Sequence, residues 1–309
     1  MASFREIKRR IGGVQNIQQI TRAMKMVAAA RLRRSEEAIL SLRPYASRMA
    51  ALCARFLREA VGTENPLFEE REVESVGLLV IASDRGLCGA YNNRIVDRAV
   101  AEIKQRAGQE EPVLCVVGER AIRGVQRAGY QVHAGYTDVF NPVHYDVAQT
   151  VRRELEQLFL QRRVDEVIVV YTEFFNPMRQ QVLTRRLFPC PPREHWEQMQ
   201  EQLRRRTPAG VHADVGEMER AESKTYIYEP DYDSICDELL EHNVDMQVYR
   251  ALLEAQASEH GARMMAMDNA TDNAEEMIDD LTLQMNRLRQ ESITREILDV
   301  VGGAEAMKE

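Results

Sequence analysis

The chain has 309 residues, enough for roughly two units of ordinary domain size. Its 44% hydrophobic content permits a substantial core, while 29% charge and a mean hydropathy of -0.42 fit a protein with much exposed helix. No run approaches the ~20 apolar residues that cross a bilayer, so no membrane-spanning helix is expected. The opening MASFREIKRR lacks the apolar stretch of a secretory signal. The first helix is basic and amphipathic, as a transit peptide can be, but a coiled-coil strand explains it better. Five cysteines at 53, 88, 115, 190 and 236 are scattered and odd in number, which favours a reduced, cytosol-facing location over a disulfide framework.

A heptad pattern opens the chain. Phe4, Ile7, Ile11, Val14, Gln18, Thr21, Lys25, Ala28, Leu32, Ser35, Ile39, Leu42, Ala46, Met49, Cys53 and Phe56 alternate spacings of three and four. Such a 3.5-residue repeat keeps one seam facing a partner helix through many turns. It predicts a helix from about Ser3 to about Ala60, which at 1.5 Å per residue reaches on the order of 85 Å. Pro44 removes one backbone donor and is expected to kink it. Gly12-Gly13 is a second weak point, at about 1 kcal/mol per glycine. Residues 61–75 are polar, carry a Pro and a Gly, and read as a connection.

The period then changes. Val76–Ala82 is a continuous apolar run, as a strand buried on both faces requires. The turn SDRGLCGAYNN leads to an amphipathic helix over 93–106. A strand at 112–117, a helix at 119–128, a short strand at 130–134 and a helix at 145–162 follow. Strands at 165–171 and, after an NPM turn, at 181–187 complete the series. Strands alternating with helices indicate a Rossmann-like α/β domain with a mainly parallel sheet. Residues 189–222, with PCPP and an arginine triplet at 204–206, read as a surface insertion with a short helix near 193–205 and no chemistry. Thr225–Pro230 is a short strand leading out. Three domains are expected: a helix over 1–60, an α/β domain over 76–228 and a last helix over 231–301.

That last helix starts near Asp231 and runs to about Val301, with Gly302-Gly303 as its stop. Its seam is Leu253, Ala257, His260, Met264, Met267, Thr271, Ala274, Ile278, Leu281, Met285 and Leu288. Two such helices joined through a folded domain can pair antiparallel, giving a long coiled coil carried on an α/β foot. Charge supports the pairing. From Ile7 to Ser35 there is no acidic residue but Lys8, Arg9, Arg10, Arg22, Lys25, Arg31, Arg33 and Arg34, whereas the other end carries Asp268, Asp272, Glu275, Glu276, Asp279 and Asp280. The net charge of -8 hides this asymmetry. Basic and acidic strands favour each other over themselves.

Catalytic motifs are missing. The sequence holds no Walker A pattern, no G-x-G-x-x-G after a strand, no metal-spaced Cys/His cluster and no G-x-S-x-G. Gly86-Leu-Cys-Gly89 sits where α/β proteins often bind phosphate, although two glycines are also what a tight strand-to-helix turn demands. Cys88 reads as a buried small residue, and His260 as a seam residue that helps fix register. No cofactor or metal is expected. A nucleotide-dependent α/β enzyme with a coiled-coil arm is the alternative reading. A nucleic-acid scaffold using residues 8–34 is a third, opposed by the lack of interleaved aromatics and the acidic whole.

Three segments carry a family resemblance: IKRRIGGVQNIQQITRAMKMVAAARLRRSEEA at 7–38, ASDRGLCGAYNN at 82–93, and MMAMDNATDNAEEMIDDLTLQMNRLRQESITREILDVVGGA at 264–304. They closely resemble the gamma subunit of F-type ATP synthases. The motifs I-T-x-A-M-K-M-V-A and R-Q-x-S-I-T-x-E at opposite ends are specific. The resemblance implies a non-catalytic central rotor whose terminal helices turn inside an alpha3-beta3 head, with the foot on a membrane c-ring beside the epsilon subunit. It implies contacts with beta at Arg289, Gln290, Thr294, Glu296, Met24, Lys25 and Arg263, and a foot segment facing the c-ring and epsilon at Tyr226, Tyr228 and Glu229. It places the chain at the cytoplasmic face of a bacterial plasma membrane, touching the bilayer only through the c-ring, with no nucleic acid partner. Cys190 stands alone in its region, so the dithiol switch of chloroplast-type members is not expected.

Overall fold

The computed structural model describes residues 4–59, 65–106, 111–190, 229 and 231–306. In chain order the elements are α1 (Phe4–Glu59), a 3-10 turn (Pro66–Phe68), β1 (Val76–Ile81), α2 (Tyr91–Arg106), β2 (Val113–Val117), α3 (Glu119–Arg127), β3 (Ala134–Tyr136), α4 (Tyr145–Leu160), β4 (Glu166–Asn176), β5 (Arg179–Phe188) and α5 (Tyr232–Ala306). They fall into two compact units, Met1–Ala29 with Arg263–Glu309, and Ala30–Ala262.

In the first unit the start of α1 pairs with the later part of α5. Ile7, Ile11 and Val14 bury against Ala274 and Leu281, with Ile278, Met285 and Leu288 packed alongside. These are the heptad positions, and the pairing is antiparallel, since Thr21 meets Thr271 while Lys25 meets Asp268. The seam is narrow. Its flanks stay wet, and Phe4, Ile17, Ile20, Met26, Val27, Met277 and Leu283 are exposed.

The second unit is built on a five-stranded sheet of order β3-β2-β1-β4-β5. β1 pairs parallel with both β2 and β4, β2 pairs parallel with β3, and β4 pairs antiparallel with β5. The sheet is therefore Rossmann-like and mainly parallel, closed on one side by a hairpin. β1 is buried at every position, which is why its sequence is continuously apolar and not alternating. One face, with Val76, Leu78, Val80, Leu114, Val116, Ile168 and Val170, packs with Ile95, Ala99 and Ile103 of α2 and Ala121 and Val125 of α3. α4 packs on β1 and β4 and contributes Val151, Leu155 and Phe159, whose ring stacks on Phe188 at 5.6 Å.

Between Asn243 and Gly261, α5 is buried on most of its circumference, as a helix enclosed by a larger core must be. Side chains stitch it to its surroundings. The Tyr91 hydroxyl donates to the Ala255 carbonyl at 3.0 Å, Ser258 Oγ to the Thr172 carbonyl at 3.1 Å, and Gln256 Nε2 to the Phe140 carbonyl at 2.7 Å. The same helix pairs with the later part of α1, through Ser35 Oγ donating to Gln256 Oε1 at 3.1 Å and Asn243 Nδ2 to Cys53 Sγ at 3.0 Å.

The structure moves several sequence-based boundaries. α5 continues through Gly302-Gly303 to Ala306; a glycine ends a helix only where it turns left-handed past the last turn. α1 likewise runs through Gly12-Gly13 and Pro44 without a break. The short strand expected at 130–134 forms instead at Ala134–Tyr136, where Cys115, Val116 and Val117 of β2 offer the partner edge, while Tyr130 and Val132 pack onto the core from the preceding loop. β4 and β5 are longer than the apolar runs predicted, because Glu173 finds buried partners. Asn176 Oδ1 accepts the Met178 and Arg179 amides at 3.0 and 2.7 Å, closing their hairpin. The expected helix at 193–205 and strand at 225–230 lie outside the described residues, apart from Glu229.

Candidate functional site

Most of the family-implied contact residues lie on the helix pair of the first unit. On α5 every residue described from Arg289 to Val301 is exposed, including Arg289, Gln290, Thr294 and Glu296. Seam burial ends at Leu288, which is partly buried against the Ile7–Val14 layers. Beyond it, Thr294 Oγ1 donates to the Gln290 carbonyl of its own helix at 2.9 Å. Arg287, Gln290, Glu291, Thr294, Arg295 and Leu298 line one open face. Ile293, Ile297, Leu298, Val300 and Val301 add an apolar surface, with Val300 72% exposed. A helix that mixes exposed apolar and charged positions all round has the composition of a surface meant to be covered.

Met24 and Lys25 are half-buried on α1. Lys25 Nζ forms an ion pair with Asp268 Oδ1 across the helix pair, a partner that the sequence reading did not assign to it. Both side chains are more than a third exposed, so the pair contributes at most about 1 kcal/mol. Arg263 is half-buried on α5. Glu229 is exposed just ahead of α5, and Tyr226 and Tyr228 lie outside the described residues.

The second unit holds the turn after β1, where phosphate binding was the alternative. Its polar groups bind one another. The Ser83 amide donates to Asn92 Oδ1 at 3.0 Å, and the Glu119 amide at the start of α3 donates to Asp84 Oδ1 at 3.1 Å. Asp84 thus puts a carboxylate where a phosphate would use the α3 N-terminus. Leu87 and Gly89 take left-handed φ angles of 63° and 59°, the strain of a tight strand-to-helix turn. Gly118 (φ 99°) lets β2 exit beside β1: a Cβ there would stand 2.4 Å from the Ala82 carbonyl oxygen. Cys88 is buried and accepts from Asn92 Nδ2 at 3.2 Å.

Three buried ionic clusters brace this unit, and sequence periodicity could not have found them. Glu173 Oε1 lies 3.2 Å from Arg185 and 3.0 Å from Arg250. Nearby Glu254 accepts the Phe174 amide at 2.9 Å. Burial pushes the Glu254 carboxyl up, against the pull of Arg250 and that amide. Arg152 is held by Asp245 at 2.9 Å, Glu241 at 3.1 Å and Glu156; burial raises the Glu156 carboxyl despite Arg152. Glu102 binds Arg106 at 2.7 Å and accepts from Thr184 at 2.8 Å. Burial works to raise Glu102, but these bonds and the charges of Arg98 and Arg106 outweigh it and hold the carboxyl below its usual range. The five cysteines are buried, and burial pushes the Cys53, Cys115 and Cys190 thiols up to about 12. Among the described residues no group of three or more His, Cys, Asp or Glu could hold a metal ion, and no helix is long and apolar enough to cross a membrane.

Comparison with known proteins follows the same lines. The sequence profile described as ATP synthase matches residues 3–307. An ATP synthase gamma chain of Heliobacterium modesticaldum is 40% identical over 99% of this chain and 100% of its own length. One from Salinibacter ruber is 40% identical over 100% and 99%. Among solved structures, a chain of the Euglena gracilis mitochondrial ATP synthase in an OSCP/F1/c-ring assembly aligns with a TM-score of 0.65 at 20% identity, covering 98% of this chain and 94% of that one. A chain of the Tetrahymena thermophila enzyme's central stalk and c-ring gives 0.55 at 24%, covering 81% and 99%; at such identities the likeness concerns the fold. Matched along its whole length by both profile and relatives, with its two heptad helices paired as their sequences require, the chain belongs to the ATP synthase gamma chain family.

Proposed function

We propose that this chain is the central-stalk rotor of an F-type proton-translocating ATP synthase, coupling rotation of a membrane c-ring to conformational change in an alpha3-beta3 head. The chain is a non-catalytic subunit, and ATP is made or hydrolysed on the beta subunits. The observation that carries this reading is full-length identity of 40% to gamma chains in a chain whose terminal helices pair along one antiparallel seam. A rotor needs paired helices to carry torque, because a long helix on its own is rarely straight and kinks at residues such as proline. It also needs an unpaired end to meet its partners. Arg289, Gln290, Thr294 and Glu296, exposed past Leu288, serve as polar contacts with beta. Met24, Lys25 and Arg263 meet beta lower on the pair, and the segment with Tyr226, Tyr228 and Glu229 faces the c-ring and epsilon. The division into terminal helices over 1–60 and 231–301 and a foot over 76–228 serves this role. The complex sits at the cytoplasmic face of a bacterial plasma membrane, and this chain reaches the bilayer only through the c-ring.

The test is affinity purification of the tagged chain from its native membranes with ATPase assayed on the eluate. Recovery of alpha and beta with ATP hydrolysis is expected. A chain recovered alone and inactive overturns the proposal.

A further inference from the structure

Heptad seams do not fix their own axial register. Positions recur every three or four residues, so sliding α1 by one turn along α5 would move Val14 and Ile11 toward Leu281 and Met285, still apolar on apolar. The residues buried in the first unit's seam are Ile7, Ile11, Val14, Thr21 and Ala28 on α1 and Met267, Thr271, Ala274 and Leu281 on α5. Two of these are polar, and they find each other. Thr21 Oγ1 lies 2.8 Å from Thr271 Oγ1, with the side chains 8% and 6% exposed.

Their wider bonding explains why this meeting matters. Thr21 Oγ1 can donate to the Gln18 carbonyl at 3.0 Å and Thr271 Oγ1 to the Met267 carbonyl at 2.7 Å. Two hydroxyl protons therefore serve three bonds: while either hydroxyl donates to its own helix, the other can donate across. A one-turn slide sets Thr21 against Met267 or Ala274, both apolar, and Thr271 against Gln18 or Lys25. The Thr21–Thr271 bond is then lost, and Thr21 faces an apolar side chain across the seam. One turn of α1 away, the Lys25–Asp268 pair opposes the same slide, but as an exposed ion pair it is weak and compliant.

We infer that the Thr21–Thr271 hydroxyl pair is the positioning layer that holds the axial register of α1 against α5 within the first unit, in the way one buried polar pair sets register in a coiled coil. Its importance for coupling rests on the rotor role proposed above; its effect on register does not.

The test has two arms. In the full chain, spin labels at Gln19→Cys and Asn273→Cys, both exposed sites, report the interhelical distance distribution, the native thiols being buried. Wild type and Thr21→Ser/Thr271→Ser, which keep the hydroxyls, are expected to give one narrow distribution. Thr21→Val/Thr271→Val is expected to broaden it or add a population displaced by up to about one helical turn, ~5 Å. An unchanged narrow distribution in the valine pair overturns the inference, as does equal broadening in the serine pair, which would assign register to methyl packing. If the valine pair fails to fold, Thr271→Val alone gives the same reading. In the second arm the reassembled holoenzyme carrying the valine pair is expected to keep its ATPase rate while pumping at least twofold fewer protons per ATP. Full coupling with a displaced distance distribution would retain the register assignment and overturn its mechanical consequence.

Discussion

The two units bury polar groups in opposite ways. In the second unit, charges go fully inside and are surrounded: Glu102, Glu173 and Asp245 are 2%, 2% and 1% exposed, each with an arginine at hand. In the first unit the seam tolerates one hydroxyl pair, and its ion pair stays at the surface. The cause is thickness. A sheet covered by helices offers a dry interior where a carboxylate must be paired or neutralised. Two helices offer one strip of contact, so every charge can turn outward. The α/β unit therefore carries its own stability, whereas the helix pair leaves large apolar side chains, Ile20 and Met26 among them, for other surfaces to cover.

The largest effect should come from the thick unit. Phe159→Ala deletes a fully buried ring that stacks on Phe188 and lies under Arg71, and should lower unfolding free energy by about 3–5 kcal/mol in denaturant titrations. A loss below about 1 kcal/mol would mean that this core is not the stable half. Glu173→Gln comes next. It leaves Arg185 and Arg250 without their shared carboxylate, and a cost of roughly 3 kcal/mol is expected; little change would show that Glu254 alone compensates.

A smaller, pH-linked effect belongs to Glu102. Its carboxyl is held below the usual range in the fold, so its stabilisation is present above that range and is lost as pH falls through the lowered value. Melting temperatures of wild type and Glu102→Gln should therefore differ most near neutrality and converge in acid. Divergence in acid would reverse the assigned sign. The smallest stability effect is expected from ending the chain after Leu288. The residues described beyond it to Val301 are exposed, so unfolding free energy should change by less than about 0.5 kcal/mol, while ATP synthesis by the assembled enzyme falls. A loss of several kcal/mol, or synthesis at the normal rate, would break the contrast between a self-sufficient unit and a partner-dependent one.

Periodicity made much of this legible. The α1 seam reads buried or half-buried at each described position from Ile7 to Cys53, and the α5 seam does so from Leu253 to Leu288; among the described seam positions only Phe4, at the start of α1, is exposed. β1, β2 and the cores of the three shorter α-helices announced themselves in the same way, because burial on one or both faces writes itself directly into residue order. The contact residues past Leu288 were legible only by resemblance, since exposure leaves no period to read.

What the sequence by itself determined is local: which faces are apolar, where strands and helices alternate, and that one terminal helix is basic and the other acidic. The tertiary structure alone decided the rest. It lengthened β4 through a buried glutamate whose arginines lie 12 and 77 residues away in sequence, moved β3 to where β2 offered an edge, and set Thr21 opposite Thr271 across 250 residues. Hydrophobic pattern says that a face must be covered, but it is non-directional. Hydrogen bonds and ion pairs are directional and long-range in sequence, so partner and register become fixed only when the chain has folded.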